Sequence, residues 1–267
     1  MSSLASRLLV AAILLPLVIG IAYLGGWWLF GLALVGGLIA LHELYTMARE
    51  LRPLVIGGYA GFVLTLLGLQ LGGVAWMLGG ILSTLLFAFV FFGLSDVRPS
   101  PTASFGVTLL GVAWVGGGIG LLLLIRDVPE HGFWALMAVL FTVFAADTAA
   151  FFVGRAIGRH KMAPAISPGK SWEGFVGGVL GAMLVAFLIL YRDRDEFLSA
   201  PQMLALGAIV AVASVVGDLF ESSVKRDLQV KDSGRLLGGH GGMLDRLDSL
   251  LWAGPAAFFA ILAFGQA

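Results

Sequence analysis

The sequence contains no cysteine and few charged residues: Asp, Glu, Lys and Arg make up only 12% of its 267 residues. The absence of cysteine excludes disulfide bonds, thiolate nucleophiles and cysteine-ligated metal sites. Because soluble domains carry about 25% charged residues, the low charge argues against a soluble globular protein. Lys and Arg together number 16, as do Asp and Glu, so the net charge gives no reason to expect a nucleic-acid partner.

Apolar residues make up 59% of the sequence, and the mean hydropathy is +0.99. Apolar runs long enough to cross about 30 Å of hydrocarbon recur along the chain. The predicted fold class is therefore all-α: a polytopic helical membrane protein with about nine transmembrane helices in a single membrane domain, residues 1–267. The predicted spans are residues 8–24, 27–45, 54–70, 75–94, 104–125, 133–154, 174–191, 202–220 and 250–265. The first is predicted to be retained, because no small-x-small signal cleavage site follows it.

The positions of the basic residues predict the orientation of these spans. With the N-terminus inside, 13 of the 16 Lys and Arg residues fall on the inner side, and 3 fall outside, namely Arg126, Arg192 and Arg194. The positive-inside rule therefore predicts an N-in/C-out topology. The expected location is the inner (cytoplasmic) membrane. Segments 155–173 and 218–248, which carry 16 of the 32 charges in 50 residues, then face the cytoplasm. We expect the chemistry in these two segments.

A polar helix face follows the span 202–220. If the helix continues past the span, Asp218, Glu221, Ser222 and Lys225 fall within about 100° of arc. Acids, a hydroxyl and an ammonium group on one face can hold a cation and a phosphate together. The alternative is an ordinary amphipathic helix end with an i, i+4 pair, but that leaves an unexplained carboxylate near the membrane boundary, where a lone charge is costly.

A glycine-rich stretch comes next, with four glycines among residues 238–242 surrounding His240. Glycines let backbone amides approach an anion closely, and a following helix N-terminus adds partial positive charge. Asp245 and Asp248 are three residues apart, so both project from one face, where they can act as hard-cation ligands beside bound phosphates. The alternative is a plain turn before a helix.

Three further positions are candidates. Ser167 with Pro168 predicts a helix start, and Lys170 at the membrane surface is placed to neutralise a nucleotide or lipid phosphate, unless it only snorkels to the interface. Asp147 lies about 12 Å along its helix from the membrane edge. A carboxylate there costs on the order of 2.5 to 3.5 kcal/mol, so we expect a functional or paired role. For Glu43 and its neighbour His42, a position at a helix terminus in the membrane interface is as good an explanation as a functional role.

The charged residues of the second segment follow a long pattern, Ser222-x-x-Lys225-Arg226-x4-Lys231-Asp232-x-Gly234-x3-Gly238-x-His240-Gly241-Gly242-x-x-Asp245-Arg246-x-Asp248. It resembles the defining pattern of the phosphatidate cytidylyltransferases, or CDP-diacylglycerol synthases. The residues Ser167-Pro168-x-Lys170-Ser171-Trp172-Glu173-Gly174 and Asp147 with Gly154-Arg155 resemble two further motifs of that family. The likeness covers about residues 145–252, interpreted as the catalytic region with cytoplasmic loops, whereas residues 1–140 match in hydropathy alone and have no assigned role.

The resemblance implies transfer of the cytidylyl group from CTP to phosphatidic acid, giving CDP-diacylglycerol and pyrophosphate with Mg²⁺ and a second, monovalent cation. It implies Asp218 and Asp245 as leading metal ligands, with Glu221 and Asp248 in auxiliary roles. Expected phosphate contacts are Lys170, Lys225 and Arg226, and the amides of Gly241 and Gly242 are expected to hold the pyrophosphate. The expected substrate-binding residues are Asp147, Ser167, Lys170, Ser222, His240, Gly241 and Gly242. The expected catalytic residues are Asp218, Lys225, Arg226, Asp245 and Asp248. The expected partners are CTP, phosphatidic acid and the bilayer, and a homodimer is left open.

Two other functions remain as alternatives. An ion-coupled transporter would explain an acid within a span, but the sequence shows no internal repeat and its charges concentrate on one membrane face. A CTP-dependent lipid kinase would share the substrates and the surface, and its by-product would be CDP instead of pyrophosphate.

Overall fold

The computed structural model describes residues 15–94, 100–194, 196–234 and 241–265. The described helices are α1 (Leu15–Leu24), α2 (Gly26–Met47), α3 (Val55–Gly93), α4 (Pro101–Gly111), α5 (Gly117–Arg126), α6 (Gly132–Ile157), α7 (Trp172–Leu190), α8 (Ala200–Asp227), α9 (Leu244–Leu247) and α10 (Leu250–Ala263). A π-helical turn, Val112–Gly116, joins α4 to α5, and short 3-10 turns occur at Arg49–Leu51 and Tyr191–Asp193. Two short strands, β1 (Lys161–Ala163) and β2 (Ser167–Ser171), form an antiparallel hairpin.

Seven helical segments in the described ranges are long and apolar enough to cross a membrane: Gly26–Met47, Val55–Gly93, Pro101–Arg126, Gly132–Ile157, Trp172–Asp193, Ala200–Asp227 and Leu244–Ala263. The prediction of an all-α, multi-pass membrane protein is confirmed. The helix α1 is shorter, and the first part of the predicted span 8–24 lies outside the described residues. The count of nine and the N-in/C-out orientation stay predictions.

The 39-residue helix α3 is broken at Gly73, whose φ of 73° and ψ of −161° are not helical. A residue without Cβ adopts this conformation at little cost, and the chain reverses there. The two arms then pack on each other, with Gly57 of the first against Ala88 of the second. The arms coincide with the predicted spans 54–70 and 75–94.

The chain forms two compact units. The first unit comprises residues 1–120 and 228–247, and the second comprises residues 121–227 and 248–267. In the first unit, α2 and α4 pack against α3, and α9 packs against α2. The late segment 228–247 therefore belongs with the N-terminal helices, although the sequence places it in the predicted catalytic region. The prediction of one membrane domain stays a prediction.

The second unit is built on close packing of α6, α7 and α8. The glycines Gly174 and Gly178 lie four residues apart on α7 and face α6, beside Ala150 and Ala146. Small residues at this spacing let two helices approach closely, which is how helices associate where the solvent is as apolar as the side chains. Ala146, Ala182 and Ala211 form a buried cluster at the centre of the three helices.

The predicted helix start at Ser167 is wrong. Ser167 and Ser171 are instead the two ends of β2, opposite Ala163 and Lys161 of β1. The helix α7 begins at Trp172, and its N-cap is Ser171, whose Oγ accepts the Gly174 N–H at 3.2 Å. Pairing with β1 satisfies the backbone of the strand, so the cap is supplied four residues later than the local sequence suggests.

Candidate active site

Lys170 and Asp218 form an ion pair in the second unit. The hairpin places Lys170 on β2, and its Nζ lies 2.9 Å from Oδ2 of Asp218 on α8. The other carboxylate oxygen, Oδ1, accepts the hydroxyl of Ser222 at 3.2 Å. Lys170 Nζ also lies 3.5 Å from the carbonyl oxygen of Val215. The structure thus brings together three residues that the sequence assigned to the site from two separate motifs.

A second ion pair lies one turn further along α8. Lys225 Nζ contacts the carboxylate of Glu221, with the two side chains 15% and 1% exposed. The pair has the i, i+4 spacing of an ordinary helix end, but it is buried, and charges taken out of water are costly even when paired. The next residue, Arg226, is exposed, and its Nε lies 3.5 Å from the carbonyl oxygen of Ile166 in the hairpin turn.

The carboxylates of Asp147, Asp218 and Asp248 interact electrostatically with one another. Asp147 is accessible at the surface of α6. Asp248 is half-buried, and its Oδ1 accepts the N–H of Ser249 at 2.6 Å. Like charges repel, so nearby positive charge stabilises the ionised form of these carboxylates.

These groups form what we call the acidic cluster: the carboxylates of Asp147, Asp218, Glu221 and Asp248 with the ammonium groups of Lys170 and Lys225. Lys170 interacts with Asp147 as well as Asp218, and Lys225 interacts with Asp248 as well as Glu221. With all six groups ionised, the four carboxylates outnumber the two ammonium groups, so the net charge of the cluster is negative.

No group of three His, Asp or Glu side chains within the described ranges is arranged to hold a metal ion on its own. Mg²⁺ usually takes one or two carboxylates and completes its shell with waters and substrate phosphates. The acidic cluster offers carboxylate oxygens and negative charge. It therefore fits a Mg²⁺ ion that is also bound by substrate phosphates.

Asp245 lies in the first unit and is hydrogen-bonded to its own segment. Its carboxylate accepts the N–H of Gly242 at 2.8 Å and that of Ser233 at 3.1 Å, and its own N–H donates to Ser233 Oγ at 3.3 Å. The Gly242 amide, expected to hold pyrophosphate, is thus bonded to Asp245 in this structure. His240, which was expected to bind substrate, and Gly238 and Gly239 of the glycine-rich stretch lie outside the described residues.

Gly241 requires its glycine because it has a φ of 77°, in the left-handed region. A Cβ at this position would also lie 2.6 Å from Oδ2 of Asp245. The glycine therefore permits the carboxylate to fold back onto the backbone of the segment.

Sequence reasoning assigned no role to Glu43, which the structure places against this segment. Glu43 is a residue of α2 and only 6% exposed. Its Oε2 accepts the N–H of Leu244 at 2.8 Å and the hydroxyl of Ser233 at 3.0 Å, and its Oε1 accepts the N–H of Met243 at 3.0 Å. The sequence feature that could have indicated a role for Glu43 is the presence of an acid within an apolar span.

Sequence reasoning also missed Glu173, in the first turn of α7. Its carboxylate accepts the backbone N–H of Arg159 at 3.1 Å and that of His160 at 3.2 Å, and the His160 ring Nδ1 lies 2.6 Å from Oε1. These bonds tie the start of the hairpin to α7. With the Ser171 cap, they hold the strand that presents Lys170.

Comparison with known proteins places this chain in a family. Residues 5–264 match the Cytidylyltransferase family. A phosphatidate cytidylyltransferase from Mycobacterium bovis is 33% identical over 287 residues, covering 97% of this chain and 90% of that protein. One from Staphylococcus haemolyticus is 35% identical over 250 residues, covering 93% of this chain and 95% of that protein.

A third relative, the phosphatidate cytidylyltransferase of Haemophilus influenzae, is 44% identical over 139 residues. That match covers 51% of this chain and 48% of that protein. The family resemblance of residues 145–252 is therefore confirmed, and the match extends through the N-terminal helices, which the sequence alone related only by hydropathy. The chain belongs to the cytidylyltransferase family.

Proposed function

We propose that this chain transfers the cytidylyl group of CTP to phosphatidic acid, giving CDP-diacylglycerol and pyrophosphate. Membership of the family over residues 5–264 is the observation that carries this proposal. A phosphate oxygen of phosphatidic acid attacks the α-phosphorus of CTP, and the bond from that phosphorus to the oxygen bridging to the β-phosphate breaks. The electron pair leaves with pyrophosphate. Such a transfer needs positioning and charge neutralisation more than covalent chemistry from the protein.

The basic side chains of the second unit supply part of this neutralisation. Lys170, Lys225 and Arg226 contact phosphates, and the first two are held by Asp218 and Glu221. Asp147, Ser167 and Ser222 are proposed to contact substrate. The proposed contacts from the glycine-rich segment are His240, Gly241 and Gly242, where the Gly242 amide would exchange Asp245 for pyrophosphate.

Mg²⁺ is part of the proposal. Asp218 and Asp245 are the proposed leading ligands, with Glu221 and Asp248 in auxiliary roles. When bound, the ion supplies positive charge that offsets the charge developing on the phosphate oxygens. A second, monovalent cation is also proposed, and the family resemblance is its only support.

The activity is tested with purified protein, phosphatidic acid, Mg²⁺ and CTP labelled in the cytosine. We expect label in the organic phase only when the lipid and the divalent cation are both present, with pyrophosphate released in equal amount. CDP and a newly phosphorylated lipid would identify a kinase instead, and vesicle uptake of CTP without a lipid product would identify a transporter.

We further propose nine crossings in an N-in/C-out orientation, with the site on the cytoplasmic face of the inner membrane. The chain has no cysteine, so single cysteines report topology directly. Gly169→Cys and Lys231→Cys, both at exposed positions, should react with an impermeant thiol reagent from the cytoplasmic side only. Arg192→Cys, also exposed, should react from the opposite side only. Labelling of positions 169 and 231 from different sides would reject the topology.

A further inference from the structure

We infer that Glu43 is a positioning residue for the reaction: its buried carboxylate holds the segment formed by residue 233 and residues 241–245 in the conformation that positions Asp245. The role of Asp245 in the reaction rests on the proposed function. The way in which Asp245 is held rests on the geometry of the first unit.

The carboxylate of Glu43 bonds to both described parts of this segment. At one end it accepts the hydroxyl of Ser233, and at the other it accepts the N–H groups of Met243 and Leu244, all at 2.8 to 3.0 Å. The last two amides immediately precede Asp245 in the chain. One side chain therefore bonds both to Ser233 and to the two residues that come directly before Asp245.

Ser233 connects Glu43 directly to Asp245. Its hydroxyl donates to Glu43 and accepts the N–H of Asp245, while its own N–H donates to the Asp245 carboxylate. Gly242 packs against Glu43 and Ser233, where a Cβ would collide with Glu43 Oε2 and Ser233 Oγ. Movement of the Glu43 carboxylate must therefore change the position of Asp245.

A role in stability alone explains the position of Glu43 poorly. Glu43, Ser233 and Gly234 border a cavity of about 1060 Å³ whose other walls are largely apolar side chains of α2 and α3. A charge in such surroundings is costly. A short helix such as α9 is normally capped by a neighbouring Ser, Thr, Asp or Asn at little cost. Here the cap comes from a residue 201 positions away, which suits a segment that must be held in one place.

The experiment compares Glu43→Gln with the matched control Glu50→Gln in the same full-length chain. The variant at position 43 keeps the side-chain volume but replaces an accepting oxygen with an NH₂ group that faces backbone donors. We expect a 10- to 100-fold fall in kcat, about the size seen when groups that orient a ligand are removed, with little change in KM for CTP. Glu50 is exposed in the turn after α2, so its variant should match the parent.

Hydrogen exchange gives a readout independent of turnover. In Glu43→Gln, peptides containing the amides of residues 243 and 244 should exchange faster, while peptides of α6 to α8 keep the rates of the parent. Ser233→Ala is the second variant, used also if Glu43→Gln does not fold, and should show the same local change. The double variant should cost little more than either single one, because the two groups act as a unit.

Parental kcat with unchanged exchange at residues 243 and 244 would overturn the inference. So would an activity loss accompanied by equally faster exchange throughout the chain, because that pattern indicates a role in folding alone. If the parent itself forms no CDP-diacylglycerol, the proposed function fails, and the exchange comparison still decides whether Glu43 holds the segment.

Discussion

Lys170 and Asp218 form an ion pair with 2.9 Å between Nζ and Oδ2, joining the β-hairpin to the cytoplasmic end of α8 in the proposed topology. Their side chains are 23% and 34% exposed. Ion pairs as accessible as this contribute only about 0 to 1 kcal/mol to stability. We expect a larger contribution to function, because the pair sets an ammonium group beside a cluster of carboxylates that, in the proposed reaction, lies next to substrate phosphates.

Lys170→Met should therefore lower activity far more than stability. We expect kcat/KM for CTP to fall by about 10²-fold or more, the scale for losing one group that stabilises transition-state charge, with the thermal midpoint nearly unchanged. Lys161→Met, at an exposed position of the same hairpin, serves as the control. A parental kcat/KM in Lys170→Met would place the phosphate contact elsewhere.

Asp218→Asn tests the proposed leading metal ligand of the acidic cluster. The substitution keeps the shape and an oxygen that can accept from Ser222, but removes one negative charge. Turnover should fall by about 10²-fold or more, and the Mg²⁺ concentration for half-maximal activity should rise. The control is Asp227→Asn, exposed at the end of the same helix. An unshifted Mg²⁺ dependence with near-parental turnover would assign the metal to other carboxylates.

Gly241→Ala tests the conformation of the glycine-rich segment. A side chain at a φ of 77° costs about 1 to 2 kcal/mol, and its Cβ would press on the Asp245 carboxylate. We expect a clear fall in turnover together with a small loss of thermal stability. Gly169→Ala is the matched control, because a Cβ there meets nothing within 4 Å. Equal activity in the two variants would contradict a requirement for this conformation.

Ser171→Ala tests the cap that joins β2 to α7. Loss of the hydroxyl leaves the Gly174 N–H without its partner, and N-cap losses of this kind cost about 0.5 to 2 kcal/mol. The thermal midpoint in detergent should fall, and activity should fall with it because Lys170 precedes the cap directly. Ser171→Thr keeps the accepting oxygen and should retain more stability than the alanine variant. Equal midpoints for Ala and Thr would show that the cap contributes nothing.

The sequence alone determined the features that depend on neighbours along the chain. Apolar runs predicted the helices, and the 3.6-residue period predicted that Asp218, Glu221, Ser222 and Lys225 share one face if the helix α8 continues past its apolar span. Both side-chain contacts on that helix, from Ser222 to Asp218 and from Lys225 to Glu221, join residues four positions apart. Local geometry is sufficient for these contacts, because a helix brings i and i+4 together whatever surrounds it.

Only the tertiary structure decided the contacts between distant residues. Ser167 begins a strand and not a helix, because β1 supplies a backbone partner that local preferences do not reveal. Lys170 meets Asp218 only after α7 and α8 have packed. Glu43 looked like an ordinary interfacial acid because its partners lie 190 to 201 residues later. A burial cost is visible in sequence as an acid in an apolar run, but which donors offset that cost depends on how the whole chain folds.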